Sequence, residues 1–274
     1  MLSSIPEMTD PAFYIRTGPT SFTPTSATAG PWDSRLQHGG PVAALLLTAI
    51  QAAAPHPQRR IAHFALEFLG PVPLLPMQVT AEVLRPGKKI ELCAASALIG
   101  ERPVLRATAW QVATGPGRSP TINLAEPPPP RSATATIDLF PSLPRFGYGE
   151  ALEWRFTSGS FSSLGPATVW TRLRTTLIAG EPVSPLVHAF LMVDSANGIS
   201  AELDPGQFLF VPVNLTVSIA RMPEGEWLGM SARTELASEG VGTAHARLFD
   251  ERGYFGQAMQ TLFVEPRAQP PGLG

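Results

Sequence analysis

The chain has 274 residues, 44% of them hydrophobic and 15% charged, and a formal net charge of −2. That is enough apolar material for a real core and too little charge for a disordered chain. No long basic or acidic run is present, so nucleic acid finds no electrostatic footprint; 18 of the 20 basic residues are arginines, which suit the phosphates of a small anion.

In chain order, AFYIRTGPTSFTPTSATAGPW reads as one or two short strands. A helix is predicted over residues 38–55, HGGPVAALLLTAIQAAAP, with Pro41 at the first helical position and Pro55 as the stop. Its apolar side chains lie on nearly every face, so protein should wrap it. Four strand-like segments follow: RIAHFALEFL, MQVTAEVLR, KIELCAASALI and PVLRATAWQVA. Residues 115–149 contain GPGRSP, the run Pro127-Pro128-Pro129-Pro130 and SLPRFGYG. A stretch so rich in proline reads as an extended surface linker.

After the linker the order repeats. TVWTRLRTTLIAG is strand-like. SPLVHAFLMVDSANG is a second apolar helix over residues 184–198, with Ser184 as N-cap, Pro185 at the first helical position and Gly198 as C-terminal stop. FVPVNLTVSIAR, EWLGMSARTELAS, GVGTAHARLFD and YFGQAMQTLFVEP complete the chain as strands. One buried helix followed by antiparallel strands, occurring twice, predicts an α+β chain of two antiparallel sheets, each wrapped around a central helix. The expected units are residues 1–114 and 150–274, joined by 115–149. A β-sandwich with two incidental helices is the structural alternative.

Asp194 is the most informative residue, because it is a carboxylate in a helix otherwise nearly all apolar. It costs solvation free energy there unless hydrogen-bonded or facing a cavity, and such carboxylates often mark sites. A capping or hinge residue is the plainer reading. Counted from the two prolines, its counterpart in the first helix is Ile50. His38-Gly39-Gly40 opens the first helix; glycines admit a close neighbour, and first-turn N–H groups can stabilise an oxyanion. A turn that needs positive φ explains the same residues. Gln260 is a neutral polar residue in the last strand, with Gln257 on the other face. Asn214 and Thr216 share one face of their strand, either in a polar network or at an edge. Cys93 lies in an apolar run and reads as a small buried hydrophobe. His56, His63, His188 and His245 have no partner at metal-ligand spacing, and no serine-hydrolase elbow, P-loop or dinucleotide fingerprint occurs. MLSSIPEMTDP lacks the features of a signal peptide, and the apolar stretch 42–54 is too short to span a bilayer. A cytoplasmic protein with no metal, no cofactor and no membrane contact is expected.

LQHGGPVAALLLTAI, HFALEFLGPV, LVHAFLMVDSANG and the block from Asn214 to Arg267 together resemble the double-hotdog acyl-CoA thioesterases, the group that includes bacterial thioesterase II. The resemblance covers nearly the whole chain outside the linker. It implies a double hotdog that hydrolyses an acyl-CoA with an activated water, and a homo-oligomer of such chains is compatible with it. The family positions its water with an aspartate, a glutamine and a hydroxyl residue. Asp194 matches the aspartate and Gln260 the glutamine. The hydroxyl position falls near Pro212, leaving Asn214 or Thr216 to substitute; Ala220-Arg221-Met222-Pro223 stands where the family commonly has His-Arg-Pro. Fatty or aryl acyl-CoA hydrolysis, with His38, Gly39 and Gly40 at the oxyanion, is the expected activity. An acyl-CoA or acyl-chain binding protein that has lost turnover is the alternative.

Overall fold

The computed structural model describes residues 12–122, 126–134 and 142–267. The N-terminal segment read for a leader, and parts of the Pro-rich linker, lie outside the described residues. The first half runs β1 (Ala12–Arg16), β2 (Ser21–Pro24), α1 (Gly39–Ala53), β3 (Arg59–Phe68), β4 (Met77–Arg85), β5 (Ile90–Ile99) and β6 (Arg102–Ala113). After the linker come α2 (Gly147–Glu150), β7 (Leu152–Ser158), β8 (Ala167–Leu173), β9 (Thr176–Ile178), α3 (Pro185–Val193), α4 (Ala196–Ile199), β10 (Phe208–Ile219), β11 (Leu228–Leu236), β12 (Val241–Asp250) and β13 (Gly253–Pro266).

Among the described residues all strands join in one hydrogen-bonded order, β7-β8-β11-β12-β13-β10-β3-β6-β5-β4-β2-β1-β9. This replaces the sandwich alternative. The halves meet where β10 pairs antiparallel with β3, from Asn214 opposite Glu67 to Ser218 opposite His63. Read outward from that junction, β3-β6-β5-β4-β2-β1 on one side matches β10-β13-β12-β11-β8-β7 on the other. Each half therefore repeats the other, with its helix inserted at the same point of the chain. The junction also covers two strand edges that would otherwise be free to pair with other chains.

Helix α3 begins as its sequence predicts, with Pro185 first after Ser184, whereas α1 begins two residues before Pro41, at Gly39. The His38 imidazole caps α1 by accepting the Gly40 N–H, and the Ser184 hydroxyl caps α3 by accepting the Val187 N–H. All residues from Gly39 to Leu47 of α1 and all from Leu186 to Val193 of α3 are buried, so the two helices carry the core on which the sheet closes.

The second helix departs from expectation at its C-terminal end. Instead of running on to a stop at Gly198, α3 ends with Asp194 as its C-cap, and Gly198 lies inside the short α4. The Ser195 N–H reaches back to the Met192 carbonyl, a tightened last turn, before the chain changes direction. Strand β7 was not anticipated from the sequence.

Candidate active site

The helix break sets the site. Asp194 is 5% exposed. Gln260, fully buried on β13, donates from Nε2 to Asp194 Oδ1 at 2.9 Å and to the Asp194 carbonyl at 3.1 Å. Its Oε1 accepts the Asn197 N–H at 3.2 Å, and Asn197 Nδ2 donates to the Phe210 carbonyl at 3.0 Å. Both ends of the Gln260 amide are thus engaged. Gln260 orients the carboxylate through its NH2 group, and its Oε1, which accepts one N–H, keeps a second lone pair.

The Gly39 and Gly40 N–H groups lie near enough to the Asp194 carboxylate to favour its charged form. The positive end of α1 therefore faces the one acid on α3. This explains the Gly-Gly pair more specifically than the sequence could. A Cβ on Gly39 would lie 2.6 Å from Asp194 Oδ2, and one on Gly40 2.2 Å from the Leu191 carbonyl oxygen. Neither glycine has positive φ. The close neighbours that need their missing side chains are helix α3 and, for Gly39, the Phe68 ring, 2.6 Å from where its Cβ would lie.

Two opposing effects act on Asp194. Burial raises its pKa to about 7, and the bond from Gln260 and the nearby Gly39 and Gly40 N–H groups oppose that rise without cancelling it. A carboxyl group poised there exchanges a proton readily at neutral pH.

His38 completes the site. Its ring lies parallel to that of Tyr148, 3.7 Å away, and its Nδ1 is 3.4 Å from Asp194 Oδ2. Burial pushes the imidazole down to about 3, so the ring is neutral and the short contact is no ion pair. Since Nδ1 accepts the Gly40 N–H, hydrogen bonding assigns the ring proton to Nε2. Among the described residues no hydrogen-bond partner meets Nε2, which leaves it free to donate to a ligand. The Tyr148 hydroxyl donates to the Leu191 carbonyl at 2.8 Å and is 2.7 Å from Ser195 Oγ. The pair fastens the helix break to the C-terminal end of the linker.

Asn214 and Thr216 lie elsewhere. Leu215 pairs with Gln260, and both are fully buried on the inner face. Alternation then puts Asn214, opposite Thr261, and Thr216, opposite Met259, on the outer face. Asn214 Oδ1 accepts the Thr261 N–H, and Thr216 donates to the Met259 carbonyl. Thr216 lines a polar groove of about 730 Å³ with Ser231 and Gln257. That groove is on the far side of the sheet from Asp194. Gln257 is exposed, as alternation predicts.

Asp194, His38 and Gly39 instead wall a cavity of about 400 Å³ whose other surfaces include Leu36, Phe68, Val72, Leu209, Val211 and Phe263. A smaller cavity of about 50 Å³ lies behind His38, lined by Tyr148, Ser195 and Asn197, and Trp32 borders both. Tyr148, Ser195 and Asn197 were not singled out from the sequence. An aromatic pair, Phe146 and Tyr148, inside an otherwise Pro-rich linker was the available signal. Among the described residues no cluster of histidine, cysteine and carboxylate groups could hold a metal ion, and no helix is long and apolar enough to cross a membrane.

Comparison with known proteins fits this geometry. Among curated proteins none matches the chain by sequence. Three solved structures share its fold over most of both chains. A candidate thioesterase II from Thermobifida fusca YX is 19% identical, with TM-score 0.73, covering 93% of this chain and 96% of its own. A hotdog-fold protein of unknown function from Alicyclobacillus acidocaldarius is 18% identical, with TM-score 0.72 and coverage of 94% and 98%. An acyl-CoA thioesterase II from Mycobacterium marinum is 15% identical, with TM-score 0.65 and coverage of 94% and 97%. The fold is thus an α+β hotdog fold. The family model of the acyl-CoA thioesterase N-terminal domain matches residues 28–112, and that of the acyl-CoA thioesterase C-terminal domain matches residues 123–264. Together these matches span most of the chain, and the protein belongs to the thioesterase II-like family of acyl-CoA thioesterases.

Proposed function

We propose that the chain is a double hotdog, with units at 1–114 and 150–274 joined by 115–149, that hydrolyses fatty or aryl acyl-CoA with Asp194 as general base. The observation that carries this reading is a single one. A buried carboxylate, shifted to about 7 by burial, is held by Gln260 beside the N-terminus of α1, at the wall of an apolar cavity of about 400 Å³. The acyl group occupies that cavity. Asp194 takes a proton from a water, whose oxygen attacks the thioester carbonyl carbon. The His38 Nε2–H donates to the carbonyl oxygen as charge builds there, a role made available by the neutral ring. When the C–S bond breaks, protonated Asp194 returns its proton to the leaving sulfur, giving the free acid and CoA thiol.

The repeated strand order supports the two-unit reading, and the asymmetry of the helices supports one site per chain. Helix α1 carries no carboxylate, its Ile50 is fully buried in the core, and the second helix begins with Ser184-Pro185 in place of His-Gly-Gly.

Release of free thiol from a panel of straight-chain and aryl acyl-CoAs tests the reading. Turnover of at least one ester, on the order of 1–10³ s⁻¹ at neutral pH, is the expected result. Saturable acyl-CoA binding with no thiol release across the panel would establish the non-catalytic alternative.

A further inference from the structure

An open cleft of about 690 Å³ adjoins the site, and Pro31 and Trp32 border it as well as both inner cavities. Trp32 stands edge-on to Phe210, with ring centroids 4.9 Å apart, and its face carries the Arg267 guanidinium 5.3 Å from the ring centroid. Arg267 is anchored through its backbone N–H to the Gln207 carbonyl at 2.8 Å. Its side chain has no carboxylate partner among the described residues, and its Nε is buried with no hydrogen-bond partner. The other charges in the cleft wall are already matched. Asp33 is bound by Arg35, and Glu150 by Arg145. The cleft wall therefore carries one guanidinium with no carboxylate partner among the described residues, its Nε buried and unpaired, beside the tryptophan that borders both the cleft and the catalytic cavity. A buried donor left unmade is unfavourable, and a planar guanidinium fork fits phosphate oxygens.

From this arrangement we infer that Arg267 is a binding residue for the diphosphate of the CoA nucleotide, and that the pantetheine arm passes Trp32 to bring the thioester to Asp194. The inference rests on the thioesterase reading for the direction of the arm, whereas the anion site rests on Arg267 and its cleft alone. Acyl selection then belongs to the apolar cavity, and discrimination of a CoA ester from a shorter thioester belongs to Arg267.

The test compares acyl-CoA with the acyl-pantetheine of the same acyl group, which ends before the phosphates. Arg267→Gln should raise KM for acyl-CoA about tenfold, the size expected for one lost charge-assisted contact, and should leave KM for acyl-pantetheine at the parent value. Arg267→Lys, which keeps the charge but not the fork, should fall between the two and serves if the glutamine variant does not fold. Calorimetric binding of CoA and of pantetheine to the same proteins gives a readout without turnover. Equal KM for acyl-CoA in parent and Arg267→Gln overturns the inference and leaves the thioesterase reading intact. Selective loss of CoA affinity in a protein that hydrolyses nothing supports the anion site and overturns the thioesterase reading. A parent that neither binds CoA nor hydrolyses its esters overturns both.

Discussion

Asp194→Asn should fold normally and lose acyl-CoA hydrolysis by about 10²–10⁴-fold, the range associated with a positioned general base. A carboxyl group at 5% exposure among Val193, Leu191 and Phe190 adds nothing to packing that an isoleucine would not. Gln260 Nε2 nonetheless bonds both to the carboxylate and to the backbone carbonyl of Asp194, and the Gly39 and Gly40 N–H groups favour its charged form. Asparagine keeps the size and one acceptor but cannot take a proton from water. Acyl-CoA affinity should stay near the parent value, because the apolar cavity, His38 and Arg267 are unaltered. Stopped-flow thiol release beside equilibrium binding separates the two quantities, and hydrolysis by the variant at the parent rate would remove Asp194 from the chemistry.

The pH dependence should be equally large. As a base, Asp194 works only when ionised, and burial holds its pKa near 7. The value of kcat/KM should be level above about pH 7 and fall tenfold per pH unit below it, roughly 100-fold by pH 5. His38, held near 3 by burial, stays neutral throughout that range and adds no second limb. Stability should move in the opposite sense. A carboxyl group whose pKa is higher folded than unfolded stabilises the fold fully below the unfolded pKa, and that contribution is lost as pH rises through the folded pKa. Between about pH 4 and pH 7 the parent should lose stability relative to Asp194→Asn, by an upper limit of about 4 kcal/mol for a shift of roughly three units. Thermal melts of both proteins across that range measure it. A melting-temperature difference that stays constant with pH, or an activity limb centred near pH 4, would contradict a buried acid with raised pKa.

Much of this was legible in the sequence because it depended on local chemistry. Pro41 lies in the first turn of α1 and Pro55 follows its end, and Ser184-Pro185 begins α3; capping and the loss of an N–H act within one turn. The identity of Asp194 stood out because its neighbours are apolar. What the sequence could not show was set by contacts between distant segments. The Gly39-Gly40 pair announced a close neighbour but not that the neighbour is α3. The break after Asp194 was hidden because Ser195-Ala196-Asn197-Gly198 has enough helical character to continue the pattern, and only the bond from Asn197 to Gln260 shows why the chain turns. Tyr148 lay in a linker with no periodicity to assign it a face. Asn214 and Thr216 are a different case. Leu215, Val217 and Ile219 are the buried apolar members of that strand, so alternation alone places Asn214 and Thr216 on the outer face.

The central claim, that Asp194 delivers a proton-relieved water rather than attacking the thioester itself, is tested most directly by a single turnover in ¹⁸O-water with enzyme in excess over acyl-CoA. The account predicts one ¹⁸O in the product acid from the first turnover and none in the Asp194 side chain. An unlabelled acid, with ¹⁸O found in the peptide that contains Asp194, would show a covalent acyl-aspartyl intermediate and contradict it.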